Sequence, residues 1–202
     1  MAAILPQLAP ASEDRVTGAQ QVDGSLRFPA ELDTSNLSST GSCLKKTFAS
    51  AGSRKTWTWS CWVKRNLFPS NHSAMFSSGT VVSDTGFFRI TFHADGHINV
   101  ATGSTNILYS GGTLKDDQAW YHVCVVVDRD DELTVYLNGS SENSKDISND
   151  SSVSIPSTNR LYIGRNNTGG YFQGKIDEVA LWDSALGSSE VDAIYGGGNP
   201  YS

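Results

Sequence analysis

The sequence predicts an all-β fold: two antiparallel sheets packed face to face as a sandwich, with one short C-terminal helix. Three observations predict it. About ten short segments alternate apolar and polar residues with period two, the pattern of half-buried strands. The stretches between them are rich in Ser, Asn, Asp and Gly, which make turns. Only one segment, near the C-terminus, repeats apolar residues at helical spacing. Two stacked sheets bury such alternating faces around one core. The 202 residues, 38% hydrophobic and 18% charged, suffice for one domain of the larger all-β type.

Residues 1–22 lack periodicity and carry Pro6 and Pro10, so they read as an arm for attachment or assembly, with residues 23–202 as the domain. The first strand candidates are "SLRF" (25–28) and "LKKTF" (44–48). In "KTWTWSCWV" (55–63), Trp57, Trp59, Cys61 and Val63 share one face, while Thr58, Ser60, Trp62 and Lys64 share the other. The first set is core. Trp62 is expected to pack beneath the second sheet or a covering loop, because burial of so large a ring is worth several kcal/mol, roughly, by area. "FFRITF" (87–92) puts Phe88, Ile90 and Phe92 on one face, and Asp95-Gly96 then joins it to "HINVA" as a tight hairpin.

"WYHVCVVVD" (120–128) is apolar on both faces from Val123 to Val127, which predicts a central strand covered on both sides. "ELTVYLNG" (132–139) is its partner, with Leu133, Val135 and Leu137 facing inward. Residues 140–158 read as a Ser- and Asn-rich loop, and "RLYIGR" (160–165) as a strand. "FQGKIDEVALWDSAL" (172–186) reads as one long strand, with Ile176, Glu178, Ala180 and Trp182 on one face and Asp177, Val179, Leu181 and Asp183 on the other. "GSSEVDAIYGGG" supplies the helix, with Glu190 in its first turn and a stop at Gly196; it is too short to stand without docking on a sheet.

The net charge of −6 and pI of about 5.1 argue against nucleic acid as a partner, since phosphate binding needs a positive footprint. Lys45, Lys46, Arg54, Lys55, Lys64 and Arg65 cluster in sequence and read as a solvated rim around two strand ends. No apolar stretch has the length of a membrane span, and the first 14 residues lack the basic n-region of an export signal. Cys43, Cys61 and Cys124 have no metal-ligand spacing, which fits free thiols in a reducing cytoplasm. On that reading the sequons at Asn36, Asn71, Asn138, Asn149 and Asn166 are chance matches.

Catalytic chemistry finds little support. A retaining glycosidase needs two carboxylates about 5–5.5 Å apart. In "IDEVALWD", Asp177 and Glu178 face opposite sides and Asp183 is too distant. Gly-x-Ser-x-Gly is absent, and His72, His93, His97 and His122 lack metalloprotease spacing. Binding fits better, because sugars dock on aromatic faces with Asn, Asp and backbone groups nearby. The candidate ligand-binding residues are Tyr109 in "GSTNILY" and Asn166, Asn167 and Tyr171 in "NNTGGYF"; "FPSNHS" (68–73) is a third loop of this type.

Three separated stretches carry a family resemblance. "WYHVCVVVDRDDELTVYLNG" resembles the Trp-x-His-Val hairpin of laminin-G-like and pentraxin-like domains. "FQGKIDEVALWDSALGSSEVDAIYGGG" resembles their closing strand and helix, and "WTWSCWVKR" resembles their early strand. The resemblance covers roughly residues 23–196 and implies a concanavalin A-like jelly roll. One departure is Gly187 where the family has Ser or Thr as helix cap, at a cost of only a few tenths of a kcal/mol, roughly. Some family members bind calcium. No dense acidic cluster stands here, and the signature acid Asp177 is the only metal candidate the resemblance supplies. The acids at 128 and 130–132 crowd one hairpin and read as solvated.

"AGSRKTWTWSCWVKR" is further similar to laminin-G-like virion proteins of marine tailed bacteriophages. That implies a non-enzymatic virion structural protein: a fibre, knob, horn or capsid decoration made and assembled in the host bacterial cytoplasm. It would be multicopy or homo-oligomeric, held to other virion proteins by its arm, and a host-surface glycan would be its ligand. The competing readings are a purely architectural decoration and a divergent polysaccharide hydrolase or lyase.

Overall fold

The computed structural model describes residues 26–28, 43–47, 55–66, 73–78, 88–102, 105–149, 160–166 and 170–196. These form twelve strands and one helix: β1 (Leu26–Phe28), β2 (Leu44–Thr47), β3 (Thr56–Arg65), β4 (Ser73–Ser78), β5 (Phe88–Phe92), β6 (Ile98–Thr102), β7 (Thr105–Tyr109), β8 (Tyr121–Asp128), β9 (Glu132–Leu137), β10 (Ser140–Asp146), β11 (Arg160–Ile163), β12 (Gly174–Trp182) and α1 (Ser188–Tyr195). The first sheet runs β1-β12-β3-β8-β9-β10 and the second β2-β11-β4-β5-β6-β7, with every pairing antiparallel. The two-sheet jelly-roll sandwich with a C-terminal helix is therefore the fold. The expected N-terminal arm, residues 1–22, lies outside the described residues.

The core forms where the alternating faces meet. Trp57, Trp59, Cys61 and Val63 of β3 and Val123, Val125 and Val127 of β8 face Phe88, Ile90 and Phe92 of β5 and Ile98 and Val100 of β6; all are buried. Trp57 stands edge-on to Phe88 with ring centroids 4.7 Å apart, and Trp59 leans on Phe76 at 5.5 Å. Phe28 ties β1 into the core, edge-on to Phe172 at 6.0 Å. Its ring fills the space beside Gly164 (φ 82°), where a Cβ would come within 2.3 Å of Phe28 Cε1. Gly164→Ala combines left-handed strain with overpacking and is expected to destabilise by about 1–3 kcal/mol in urea unfolding.

The outer face of the first sheet is covered by α1. Cys124, Val126 and Tyr136 form a second apolar cluster with Val191 of the helix. Thr58 fixes the approach: its Oγ1 donates to the Ser184 carbonyl (2.8 Å) and accepts from the Leu186 N–H (3.0 Å). Glu190 Oε2 accepts from the Gly187 N–H at 2.7 Å, which compensates in part for the missing cap side chain. Trp62 is buried here, between His122 (5.3 Å) and Tyr195 of α1 (5.7 Å). Its cover is thus the helix, not the second sheet or a loop.

Three expectations are corrected and one strand is added. The added strand is β4, hidden from alternation because Ala74-Met75-Phe76 is a continuous apolar run with a register shift between Ala74 and Phe76. β7 read as a loop, yet it is the edge strand of the second sheet. β10 also read as a loop; it is a wholly polar, mostly exposed edge strand paired with β9. In β12 a bulge sets both Glu178 and Val179 against Cys61, with Glu178 at φ 48°. Beyond the bulge the faces exchange. Leu181 opposes Trp59 on the core side, whereas Ala180 and Trp182 oppose Ser60 and Thr58 on the outer side with Asp177.

Candidate functional site

The outer face of the second sheet is built differently from the helix-covered face. Residues directly opposite each other in a ladder share a face. One row across it runs Lys45, Tyr162, Ser77, Arg89, Ala101, Asn106, from β2 through β11, β4, β5 and β6 to β7. The next row runs Ala74, Thr91, Asn99, Tyr109. The small members Ala74, Ser77, Thr91, Asn99 and Ala101 are fully buried, while Arg89 and Tyr109 are half-buried. Long side chains thus supply the accessible chemistry. Burial lowers the pKa of Arg89 below the usual guanidinium range, and the Tyr109 phenol opposes that shift.

Tyr109 is the predicted site residue around which most side chains gather. His93 and His97, at the two ends of the β5–β6 hairpin, meet its ring edge-on with centroids at 5.4 and 6.5 Å. The hairpin is the expected tight turn, closed by His93 N–H to His97 O at 2.8 Å, with Gly96 at φ 97°. His93 Nδ1 lies 2.8 Å from Asp95 Oδ1, and His97 Nδ1 lies 2.8 Å from the Ser110 carbonyl. Donation to the Ser110 carbonyl through Nδ1 leaves Nε2 of His97 for other partners. Desolvation pushes the Asp95 carboxyl up, but the His97 N–H and the His93 side chain outweigh it and hold the carboxyl below its ordinary value. From β10, Asn143 Nδ2 donates to the Tyr109 carbonyl at 2.9 Å.

Tyr171 lies at the same end of the sheet, on the far side of β4. Its carbonyl accepts from Ser73 Oγ at 3.2 Å, and the Arg165 guanidinium sits over both its ring (5.5 Å) and that of Tyr162 (5.4 Å). Four strand spacings, on the order of 19 Å, separate it from Tyr109, so the two aromatics mark opposite rims. Asn166 is 95% buried, and its Oδ1 accepts from the Gly170 N–H at 3.2 Å, which ties the turn that carries Tyr171. Asn167 lies outside the described residues, as does most of "FPSNHS". Arg89, His93, His97 and Arg165 come near these aromatics only through the folded register; in the sequence, Arg89 shows as a lone cation inside the apolar run FFRITF.

Asp177 is the metal candidate that the resemblance supplies. Calcium takes about six to eight oxygens, and no group of three or more His, Cys, Asp or Glu converges among the described residues. Asp177 sits opposite Trp62 on the helix-covered side, and its Oδ1 already accepts from the Glu178 N–H at 2.7 Å. Burial raises its pKa, with the Glu178 N–H opposing. In the acidic hairpin, Lys55 Nζ pairs with Asp130 at 3.3 Å, both well exposed.

An apolar cleft of about 400 Å³ opens at one edge between the sheets, with Leu44 and Leu181 at its rim and Trp59, Phe76 and Ile163 among its walls. Its polar lining is confined to Lys45 and Lys46. A sugar would lose its hydroxyl hydration there without replacement, so the cleft does not suit one. No helix among the described residues is long and apolar enough to cross a membrane.

A two-layer antiparallel sandwich with a helix on one sheet and a cationic, aromatic-edged face on the other is a lectin-type jelly roll. The chain belongs to the concanavalin A-like lectin/glucanase superfamily, whose family model matches residues 38–192. No protein of curated function matches it by sequence. Among solved structures it is similar to the native heptameric SAP-like pentraxin of Limulus polyphemus (20% identity, TM-score 0.63, covering 84% of this chain and 80% of that one). It is also similar to the CBM40 module of a Ruminococcus gnavus sialidase bound to α2,3-sialyllactose (15%, TM-score 0.56, 75% and 98%). The botulinum neurotoxin serotype G binding domain is a third (18%, TM-score 0.59, 87% of this chain but only 45% of that one). At these identities the likeness is one of fold.

Proposed function

We propose that this chain is a non-enzymatic glycan-binding protein of a tailed-phage virion, displayed in multiple copies and held to other virion proteins by residues 1–22. The observation that carries the binding reading is Tyr109, half-buried at a strand end between two imidazoles. A sugar ring can stack on such a phenol while nearby nitrogens and backbone groups hydrogen-bond its hydroxyls. The CBM40 neighbour, bound to sialyllactose, shows that this fold accommodates a glycan. The virion context rests on the run "AGSRKTWTWSCWVKR" and its likeness to phage proteins. The non-enzymatic reading rests on the carboxylates: Asp177 is on the helix-covered face, and the neighbouring Glu178 is an exposed bulge residue.

A glycan array probed with the purified chain is expected to show binding that Tyr109→Ala weakens roughly tenfold, a change of about 1.4 kcal/mol. No reducing ends should appear when bound polysaccharides are incubated with the protein. An array without signal would leave the architectural role, and product release would restore the hydrolase or lyase reading.

A further inference from the structure

The two edges of the sandwich are finished differently. At one, the β7 and β10 ends tie the sheets together: Glu142 Oε2 accepts from the Gly112 N–H at 2.7 Å, and Asn143 Nδ2 donates to the Tyr109 carbonyl at 2.9 Å. At the other, where β2 of the second sheet faces β12 of the first, the apolar cleft of about 400 Å³ stays open. Trp59 and Phe76, with ring centroids 5.5 Å apart, line it from the core side. Leu44 and Leu181, 45% and 38% exposed, are the large hydrophobic side chains left exposed among the described residues, and both stand on its rim. The ladder sets Leu44 opposite Ile163 and Lys46 opposite Leu161, so both belong to the cleft side of β2. Lys46 can lay its alkyl stem on that apolar wall and keep its ammonium at the mouth. That ammonium has no ion pair or hydrogen bond among the described residues.

We infer that this cleft binds a free medium-chain alkyl carboxylate, its chain lying between the sheets against Trp59, Phe76 and Leu181 and its carboxylate held by the Lys46 ammonium. The site is independent of the glycan reading, which concerns the outer face of the second sheet. Small-ligand sites are commonly concave, roughly 300–1,000 Å³ in volume, mostly apolar, and supplied with a few placed polar groups. This cleft has that size and that lining. A chain of methylenes brings no polar group that must be desolvated there, and each methylene buried adds about fourfold to affinity. No carboxylate lines the cleft, so an anionic head meets attraction from Lys46 and, beside it, Lys45 without local repulsion. A carboxylate can accept a charge-assisted hydrogen bond from the ammonium, whereas a cationic head is repelled. An inward-facing lysine on an edge strand also discourages edge-to-edge pairing of copies. That role alone requires neither an open volume behind the lysine nor two exposed leucines at its rim.

The test is titration calorimetry of the full chain with sodium octanoate and sodium decanoate below their micelle concentrations, set against decyltrimethylammonium. Decanoate should bind at a single site, roughly tenfold more tightly than octanoate. It should also bind about tenfold more tightly than the cation, as one charge-assisted hydrogen bond allows. Lys46→Gln should remove the preference for the anion and Lys46→Arg should keep it. Leu181→Asp, at an exposed rim position, should abolish binding while the near-UV spectrum stays that of the wild type. The bromine of ω-bromodecanoate should quench tryptophan fluorescence in the wild type, and Trp59→Phe should lose the quenched component. Equal binding of decanoate and the cation, or an anion preference that survives Lys46→Gln, would overturn the role given to Lys46. Binding to phosphatidylglycerol vesicles in preference to decanoate would overturn the free acid in favour of a membrane lipid. Absence of decanoate binding would overturn the site altogether. Self-association abolished by Leu181→Asp would then assign the cleft to a second copy, and self-association created by Lys46→Gln would leave Lys46 as edge protection.

Discussion

Trp57→Ala is expected to lower the unfolding free energy by about 4–5 kcal/mol, at the upper end for loss of a buried aromatic. Trp57 is 1% exposed, lies opposite Val127 in the ladder and packs edge-on against Phe88. Its neighbours are sheet residues whose backbones are pinned by hydrogen bonds, so the space left behind cannot collapse. Trp59→Ala makes an instructive contrast. Trp59 is equally buried, but it walls the apolar cleft beside Leu181 and Val179. The lost volume merges with an existing opening, where exposed Leu181 and Leu44 can swing inward, and the expected cost is nearer 3 kcal/mol, roughly. Neither indole N–H finds an acceptor among the described residues. Trp57→Phe therefore deletes an unpaired donor along with some packing and should cost well under half of Trp57→Ala. Urea unfolding of the three variants checks the order. Equal losses for Trp57→Ala and Trp59→Ala would remove the distinction between a sealed site and one open to the cleft.

These tryptophans also show what was legible in the sequence. A strand that buries one face writes it as strict alternation, so Trp57, Trp59, Cys61 and Val63 could be assigned inward without coordinates. The double-sided apolar run at Val123–Val127 likewise announced a covered central strand. What failed to show was anything set by a partner strand. β10 has no apolar residue, because an edge strand held by its ladder alone needs none. The β12 bulge reverses every face beyond Glu178, but it exists only through pairing with Cys61. The site follows the same division. Tyr109 could be named from its loop-like surroundings, yet its company of His93, His97 and, one row away, Arg89 depends on the β5–β6–β7 register. Asn166 reads alike as a loop ligand and as a turn residue, because Asn serves both roles, and its bond to the Gly170 N–H is set only by the folded turn. Trp62 was seen as the odd residue of its strand, and only the docked helix identifies its cover.

That helix should loosen in acid. His122 is 99% buried against Trp62 and Tyr195 (ring centroids 5.3 and 5.8 Å), and neither ring nitrogen has a hydrogen-bond partner among the described residues. Burial lowers its pKa from 6.5 to about 4. The unfolded chain therefore takes up the proton first as pH falls. The stability contributed by neutral His122 is complete above pH 6.5, is lost progressively down to about pH 4, and changes no further below that. A shift of this size corresponds to about 3 kcal/mol. Other titratable groups lie around it: Cys124 two residues along the same face, Asp177 on β12 opposite Trp62, Tyr136 on β9, and Asp192 and Tyr195 on α1. Cys124 and Tyr136 have pKa values raised by burial and stay neutral throughout. Asp177 acts in the opposite sense. Its raised pKa makes the folded state the better proton acceptor, so stability returns in part as pH falls from that raised value to the ordinary carboxyl value, with no further change below it. Urea unfolding should give a midpoint that drops between pH 7 and pH 4.5. His122→Phe, which keeps an aromatic ring between Trp62 and Tyr195 but cannot charge, should flatten that slope and spare the stability at pH 7. An equally steep slope in His122→Phe would place the acid sensitivity elsewhere. Trp62 reports the event directly, because its fluorescence should shift to the red as α1 lifts from the sheet and water reaches the ring.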